Sequence, residues 1–325
     1  MHSAKRFFKR WQNWLALILV AFFFAMAIAA PLLSPVDTSL QAPGARRILG
    51  NQPNPNPTPP SEEEPLGTLP KDISVYHKII WGSRSALSFG LGVTAIIAAV
   101  GTLIGTLSAY WGGWPSKILI WITDSFLAFP LIAAVVLINQ LMQYIWVNVF
   151  SSTMDGGFQT DIILGQLSQP LSSNPLEFLQ RIPPLAIAFV LFLWMPYAKV
   201  MHTSVLQKKQ QEYILAAKVS GVKTWRIIWR HLLPNAIGPV IVTAAKDVGA
   251  VVVLQSAFSF AQLGQSDSPW SGILITAKDY LYAPGGLIKY WWLFLPATAA
   301  ILLFGIAWNL LGDGINEALN PSIDR

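Results

Sequence analysis

Trp14-Leu-Ala-Leu-Ile-Leu-Val-Ala-Phe-Phe-Phe-Ala-Met-Ala-Ile-Ala-Ala-Pro-Leu-Leu33 carries no charge at any position. A helix rises ~1.5 Å per residue, so about 20 apolar residues cross the ~30 Å hydrocarbon core of a bilayer. Lys5, Arg6, Lys9 and Arg10 stand just before the run. A secretory signal peptide has the same basic start, but its apolar stretch spans only ~7–15 residues. The stretch therefore reads as a retained membrane helix.

The remainder of the chain has the same character. Of 325 residues, 53% are apolar and 12% charged, against about 25% charged in a soluble domain. With 17 Phe, 14 Trp and 8 Tyr, the chain as a whole is too aromatic for a disordered one. It contains no cysteine, which excludes a disulfide framework, thiol catalysis and thiolate metal sites. His2, His77, His202 and His231 lack metal-ligand spacing, and no metal site is expected.

Five further spans follow. Residues 85–110 are uncharged and hold Gly101-Thr-Leu-Ile-Gly105, a spacing that lets helices approach closely. Residues 118–142 are interrupted by Asp124 and Pro130, residues 184–198 extend past Lys199, residues 236–258 carry Lys246 and Asp247, and residues 290–311 are uncharged. Backbone polar groups in lipid must be satisfied within the segment, which favours helices, and the alternation of barrel strands is absent. The expected fold is an all-α integral membrane protein with six transmembrane helices. Placing the N-terminus inside puts thirteen Lys/Arg on the cytosolic side and eight outside, the orientation that positive loop charge favours. Both termini are then cytoplasmic.

The expected organisation is a cytoplasmic N-terminus at 1–13, a first helix at 14–33, an external segment at 34–84, a five-helix core at 85–311 and a cytoplasmic C-terminus at 312–325. Seven prolines between Pro43 and Pro65 predict extended chain for the external linker, leading into a surface helix around residues 73–81. The second external loop, 143–183, is polar, with a short helix expected near Leu176–Leu179. Trp81, Tyr110, Trp111, Trp114, Tyr197, Tyr290 and Trp291 fit interfacial belts.

The cytoplasmic loop 201–235 is the most informative. Residues 211–221 read Gln-Glu-Tyr-Ile-Leu-Ala-Ala-Lys-Val-Ser-Gly. Good helix formers fill most of this stretch, Gly221 suits a left-handed helix stop, and Thr224 is a candidate cap for a second helix. Pro234 falls where that helix meets the fifth span. Three readings compete: an amphipathic helix on anionic lipid, a nucleic-acid-binding helix–turn–helix, and a small-residue helix that docks into a groove on a partner. Tethering to the membrane at both ends argues against nucleic acid.

Ala216-Ala217, three residues, Gly221 and then Leu233-Pro234 resemble the cytoplasmic signature loop of ABC-importer permeases. Glu212-Tyr213 and His231-Leu-Leu-Pro-Asn235 are similar to the dipeptide/oligopeptide (peptide/nickel) branch. Further pieces agree in order: Pro65-Leu-Gly-Thr68 with Gly82-Ser-Arg84, Tyr110-Trp-Gly-Gly-Trp114, Asp124 with Phe129-Pro130, Phe258-Ser-Phe260, Leu263-Gly264, Pro269-Trp270, Leu311-Gly-Asp-Gly314 and Asn320-Pro321. Leu215 stands where that family opens its signature with an acidic residue, and Gln255 where it has Glu.

The resemblance implies a type I ABC-importer permease subunit in a bacterial or archaeal plasma membrane, with a cytoplasmic coupling-helix loop. It implies a second homologous permease subunit, as a heterodimer, two cytosolic ATP-binding subunits and an extracytoplasmic substrate-binding protein. ATP and Mg would sit on the partner ATPase and no cofactor on this chain, which has no G-x-x-x-x-G-K-[ST] phosphate loop. The ATPase-docking residues are then Glu212, Tyr213, Ile214, Leu215, Ala216, Ala217, Lys218, Gly221 and Pro234. No catalytic constellation is evident. Membrane lipid is an expected partner of Lys199, Lys218, Lys223, Arg226 and Arg230, and nucleic acid is not expected. Charges in spans are usually paired or functional; Asp124 is therefore either a pathway residue or a helix-start residue near the headgroups, and Lys246 and Asp247 are either pathway residues or interhelical partners. The rival reading is a self-contained secondary transporter or channel.

Overall fold

A computed structural model describes residues 7–8, 10–35, 54–128, 130–145, 183–263 and 268–319. The expected helix at 176–179 and most of the 143–183 loop lie outside them. So do residues 36–53 of the Pro-rich segment, Phe129, Gly264 and Asn320-Pro321. Among the described residues the fold is helical apart from one two-stranded ribbon. Helix α1 is Trp11–Leu33, α2 is Val75–Trp111, α3 is Gly113–Leu127 and α4 is Leu131–Ile145. Helix α5 is Pro184–Lys209, α6 is Glu212–Val219, α7 is Thr224–Ile227, α8 is Gly238–Phe260, α9 is Pro269–Leu281 and α10 is Trp291–Leu319.

Five of these, α1, α2, α5, α8 and α10, are long and apolar enough to cross a membrane. The third expected span is not one helix. It is built from α3 and α4, separated at residues 128–130, where Pro130 cannot continue a helical hydrogen-bond ladder. These two nevertheless traverse the bundle. Lys209 at the end of α5 donates to the carbonyls of Ala109 and Tyr110 at the end of α2, so the two long helices end on one face. Residues 85–96 of α2 line a cavity with Pro183 and Ala186 at the start of α5, so the helices run parallel. The chain between them must cross from one face to the other, which accounts for the sixth crossing.

The helix contacts follow from small residues. The most extensive packing is α2 against α5. A Cβ at Gly101 would lie 2.4 Å from Tyr197 Cβ and 2.5 Å from the Trp194 carbonyl oxygen, and one at Gly105 would lie 2.4 Å from the Ala198 carbonyl oxygen. The Gly-x-x-x-Gly spacing is therefore the crossing point of α2 and α5. Helices α8 and α10 cross where a Cβ on Gly249 would meet Gly305 Cα at 3.0 Å. Helix α1 packs on α2 and α10, and α9 sits among α10, α8 and α2. Arg10 at the start of α1 pairs with Glu317 near the end of α10 at 2.5 Å, so the start of α1 and the end of α10 share a face.

The external segment departs from expectation. Residues 54–74 form a packed unit in which Thr68–Leu69 pairs with Ile73–Ser74 as an antiparallel ribbon. Thr68 N–H donates to the Thr58 carbonyl, Asn54 N–H to Asp72 Oδ2, and Ser74 Oγ to Glu64 Oε2. Leu69 packs with Val75, Ile273, Trp292 and Leu293, so apolar burial overrides the extended preference of the prolines. Nor is there a separate surface helix at 73–81. Ser74 caps α2 by accepting from His77 N–H at 3.2 Å, and the helix runs unbroken to Trp111. Trp81 and Tyr197 are buried within the bundle and are not belt residues, whereas Trp111, Trp114 and Trp291 are uncovered by the chain.

Candidate functional site

The cytoplasmic-loop candidate begins where α5 ends. Helix α6 has Glu212 in its first turn and Lys218 in its last, each charge at the end of the helix where the dipole favours it. It stops at Gly221, whose φ is +72°. Gly221 N–H donates to the Lys218 carbonyl and Val222 N–H to the Ala217 carbonyl, the paired bonds of a Schellman stop. A Cβ at Gly221 would meet nothing within 4 Å, so backbone conformation and not crowding favours glycine there.

The helix has two unlike faces. Ile214 is 0% exposed and belongs to the core cluster with Phe189, Tyr197, Met201 and Val205. Ala217 packs against the same cluster. Ile214 therefore anchors α6 to the bundle and does not stand on its outer surface. The opposite side presents Tyr213 at 42% exposure, Leu215 at 50% and Val219 at 90%, with Glu212, Ala216 and Lys218 also exposed. A largely apolar surface, with one charge near each end, thus lies outward on a helix held from behind. Composition supplied the apolar residues, but only the rotation of α6 sorts anchor from surface.

Two residues outside the sequence-predicted set fix this loop. Lys209 ties the ends of α2 and α5 together, and its ammonium lies 5.4 Å from the Tyr110 ring centroid, with Lys218 over the same ring at 5.7 Å. A lysine next to Gln-Gln in sequence gives no sign that it bonds 100 residues away.

The second helix of the loop is modified. Thr224 is its first residue and makes no side-chain cap; Lys223 occupies the cap position. Residues Ile228–Leu232 then follow a π-helical spacing before Leu233–Ala236 resumes the α-helix. Pro234 has no N–H and its ring crowds the preceding turn, so a local widening accommodates it. Ile227 and Leu232 are buried in the cluster that holds Ile214, so α6, the π segment and α5 share one core.

Asp124, Lys246 and Asp247, the charged residues singled out in the spans, are each paired. Lys199 on α5 donates to Asp124 on α3 at 2.5 Å, and both side chains are about half-exposed. Lys246 on α8 pairs with Asp313 on α10 at 2.5 Å. Asp247 accepts from Tyr197 Oη on α5 at 2.6 Å. Lys246 and Asp247 are adjacent, point ~100° apart and so tie α8 to two different neighbours. Lys246 also lines a groove between α8 and α10 of about 580 Å³. Among the described residues no group of His, Asp and Glu is arranged to hold a metal.

Residues 101–325 match the family model described as binding-protein-dependent transport system inner membrane component. Residues 2–53 match the N-terminal TM domain of oligopeptide transport permease C. The chain is 30% identical over 310 residues to the dipeptide transport system permease protein DppC of Bacillus subtilis (strain 168), covering 95% of this chain and 81% of that protein. It is 27% identical over 311 residues to the oligopeptide transport system permease protein OppC of the same organism, covering 95% and 85%. Against the glutathione transport system permease protein GsiD of Pectobacterium atrosepticum it is 26% identical over 322 residues, covering 98% and 90%.

Proposed function

We propose a function for this chain from the premise that it belongs to the family of binding-protein-dependent transport system inner membrane components. It is a permease subunit of an ATP-binding-cassette importer for peptides, and ATP hydrolysis belongs to a separate subunit of such systems. Its relatives carry dipeptide, oligopeptide and glutathione transport in their names, which supports small peptides as the cargo. Two copies of the ATPase, a second, non-identical permease subunit and an external binding protein complete the assembly. ATP and Mg are held by the ATPases. The chain spans a bacterial or archaeal inner membrane several times with both termini in the cytosol. The shared face of Arg10 and Glu317 supports that arrangement.

One observation carries the coupling role: α6 presents Tyr213, Leu215 and Val219 outward while Ile214 locks it into the core shared with α5. A motor that grips the outer face moves α6, and the buried side transmits that movement to α5 and, through the π segment, to α8. Alternating access follows as these helices tilt. Glu212, Ala216, Lys218, Gly221 and Pro234 shape the same handle, and Asp124, Lys246 and Asp247 lie along the pathway or brace its wall.

Purification of the tagged chain in mild detergent tests the coupling role. A cytosolic ATPase should co-purify with the wild type and be lost from Val219→Asp. Import by vesicles holding this chain alone, without nucleotide or ATPase, would overturn the reading in favour of a self-contained transporter.

A further inference from the structure

The groove between α8 and α10 has a construction that the coupling role does not require. The two helices touch at Gly249 and Gly305, and small residues, Ala250, Ala257 and Gly305, continue along the contact and leave space beside it. The volume, about 580 Å³, is within the ~300–1,000 Å³ of small-ligand sites, which are mostly apolar with a few placed polar groups. Leu254, Leu302 and Ile306 supply apolar wall, and the polar residues of the lining are Lys246 and Asn309. Lys246 is set by its stem: a Cβ on residue 312 would meet Lys246 Cγ at 2.4 Å, so Gly312 gives the lysine its track. Its head bonds Asp313 Oδ1, and the two side chains are 37% and 53% exposed.

We propose that this groove is a subsite for the C-terminal end of a short peptide, with Lys246 exchanging Asp313 for the peptide's free carboxylate. The proposal rests on the peptide-import reading above and names the group of the cargo that this chain recognises. A lysine held at the edge of an apolar wall matches an anion with an apolar body, and the volume suits a di- or tripeptide. Asp313 is half-uncovered by the chain and lies in the 312–325 stretch read as cytoplasmic, so its displacement leaves no buried, uncompensated charge. Asn309 is the second polar residue of the same lining.

The test uses the assembled transporter, with its ATPase and binding protein, in vesicles. The probes are trialanine and trialanine amide, which differ only in the terminal carboxylate. Wild type should import the acid with a KM roughly tenfold or more below that of the amide, the size of a charge-assisted hydrogen bond. Lys246→Met should raise the KM of the acid alone and bring the ratio to about one, and Lys246→Arg should keep the preference. Should Lys246→Met fail to assemble, Lys246→Met with Asp313→Asn removes both charges and must give the same loss of preference. An unchanged ratio, or an equal fall for both probes, makes the pair a structural brace and ends the subsite. Import of neither probe by the wild type defeats the peptide reading itself.

Discussion

Trp270 lays its indole directly on Gly82. A Cβ at residue 82 would fall 2.1 Å from both Trp270 Cδ1 and Nε1, and that Nε1–H donates to the Ile79 carbonyl at 2.9 Å. Trp270 is 0% exposed and packs with Phe23 and Phe304, so this contact joins α1, α2, α9 and α10. Gly82→Ala should displace the indole and break its bond, at about 1–3 kcal/mol for overpacking. A lower melting temperature of the purified protein, with little folded material from Gly82→Leu, is the expected result.

Gly101 brings α2 onto the backbone of α5. Gly101→Val should drive the helices apart at the Trp194 carbonyl, where backbone cannot yield as a side chain can. Gly92, with nothing within 4 Å of its would-be Cβ, is the control. Detergent-extracted yield should drop for Gly101→Val and hold for Gly92→Ala.

Ile214 and Tyr213 are neighbours with opposite assignments. Ile214→Ala empties a fully buried site and should cost roughly 2–5 kcal/mol, seen as early unfolding. Tyr213→Glu alters an exposed position and should leave the melting temperature unchanged while the ATPase no longer co-purifies. Reversal of the two outcomes would remove the anchor-and-handle arrangement.

Gly221→Ala meets open space, so its cost is only that of holding a side chain at φ +72°, about 1 kcal/mol. Gly221→Asn should be milder, since Asn tolerates the left-handed region. Transport per ATP hydrolysed should fall in the order glycine, asparagine, alanine if the stop sets the angle of α6.

Asp124 and Lys199 are each other's partner. Lys199→Met should reduce membrane assembly by leaving a span carboxylate without its cation. Lys199→Met combined with Asp124→Asn should restore it. Equal yields from the single and double variants would show that the pair does not matter for insertion.

Much of this protein was legible along the chain because the signals are local. Hydropathy placed the long helices, since twenty apolar residues in series need no knowledge of their neighbours. Gly221 announced a left-handed stop, and Gly101 and Gly105 announced a close crossing. Thr224 misled, because a cap depends on where the preceding backbone turns, and Lys223 takes that turn. The proline count likewise misread residues 54–74, whose order comes from Leu69 and Glu64 meeting distant partners.

Sequence by itself determined a multi-span helical membrane protein with a small helix between its fourth and fifth spans. Tertiary structure decided which way each helix faces: Ile214 inward and Val219 outward, Lys246 toward Asp313 and Asp247 toward Tyr197. The cause is physical. Period and hydropathy repeat along one helix, but its rotation about its own axis is set by the small residues and ion pairs of the helices it packs against, which lie tens to hundreds of residues away.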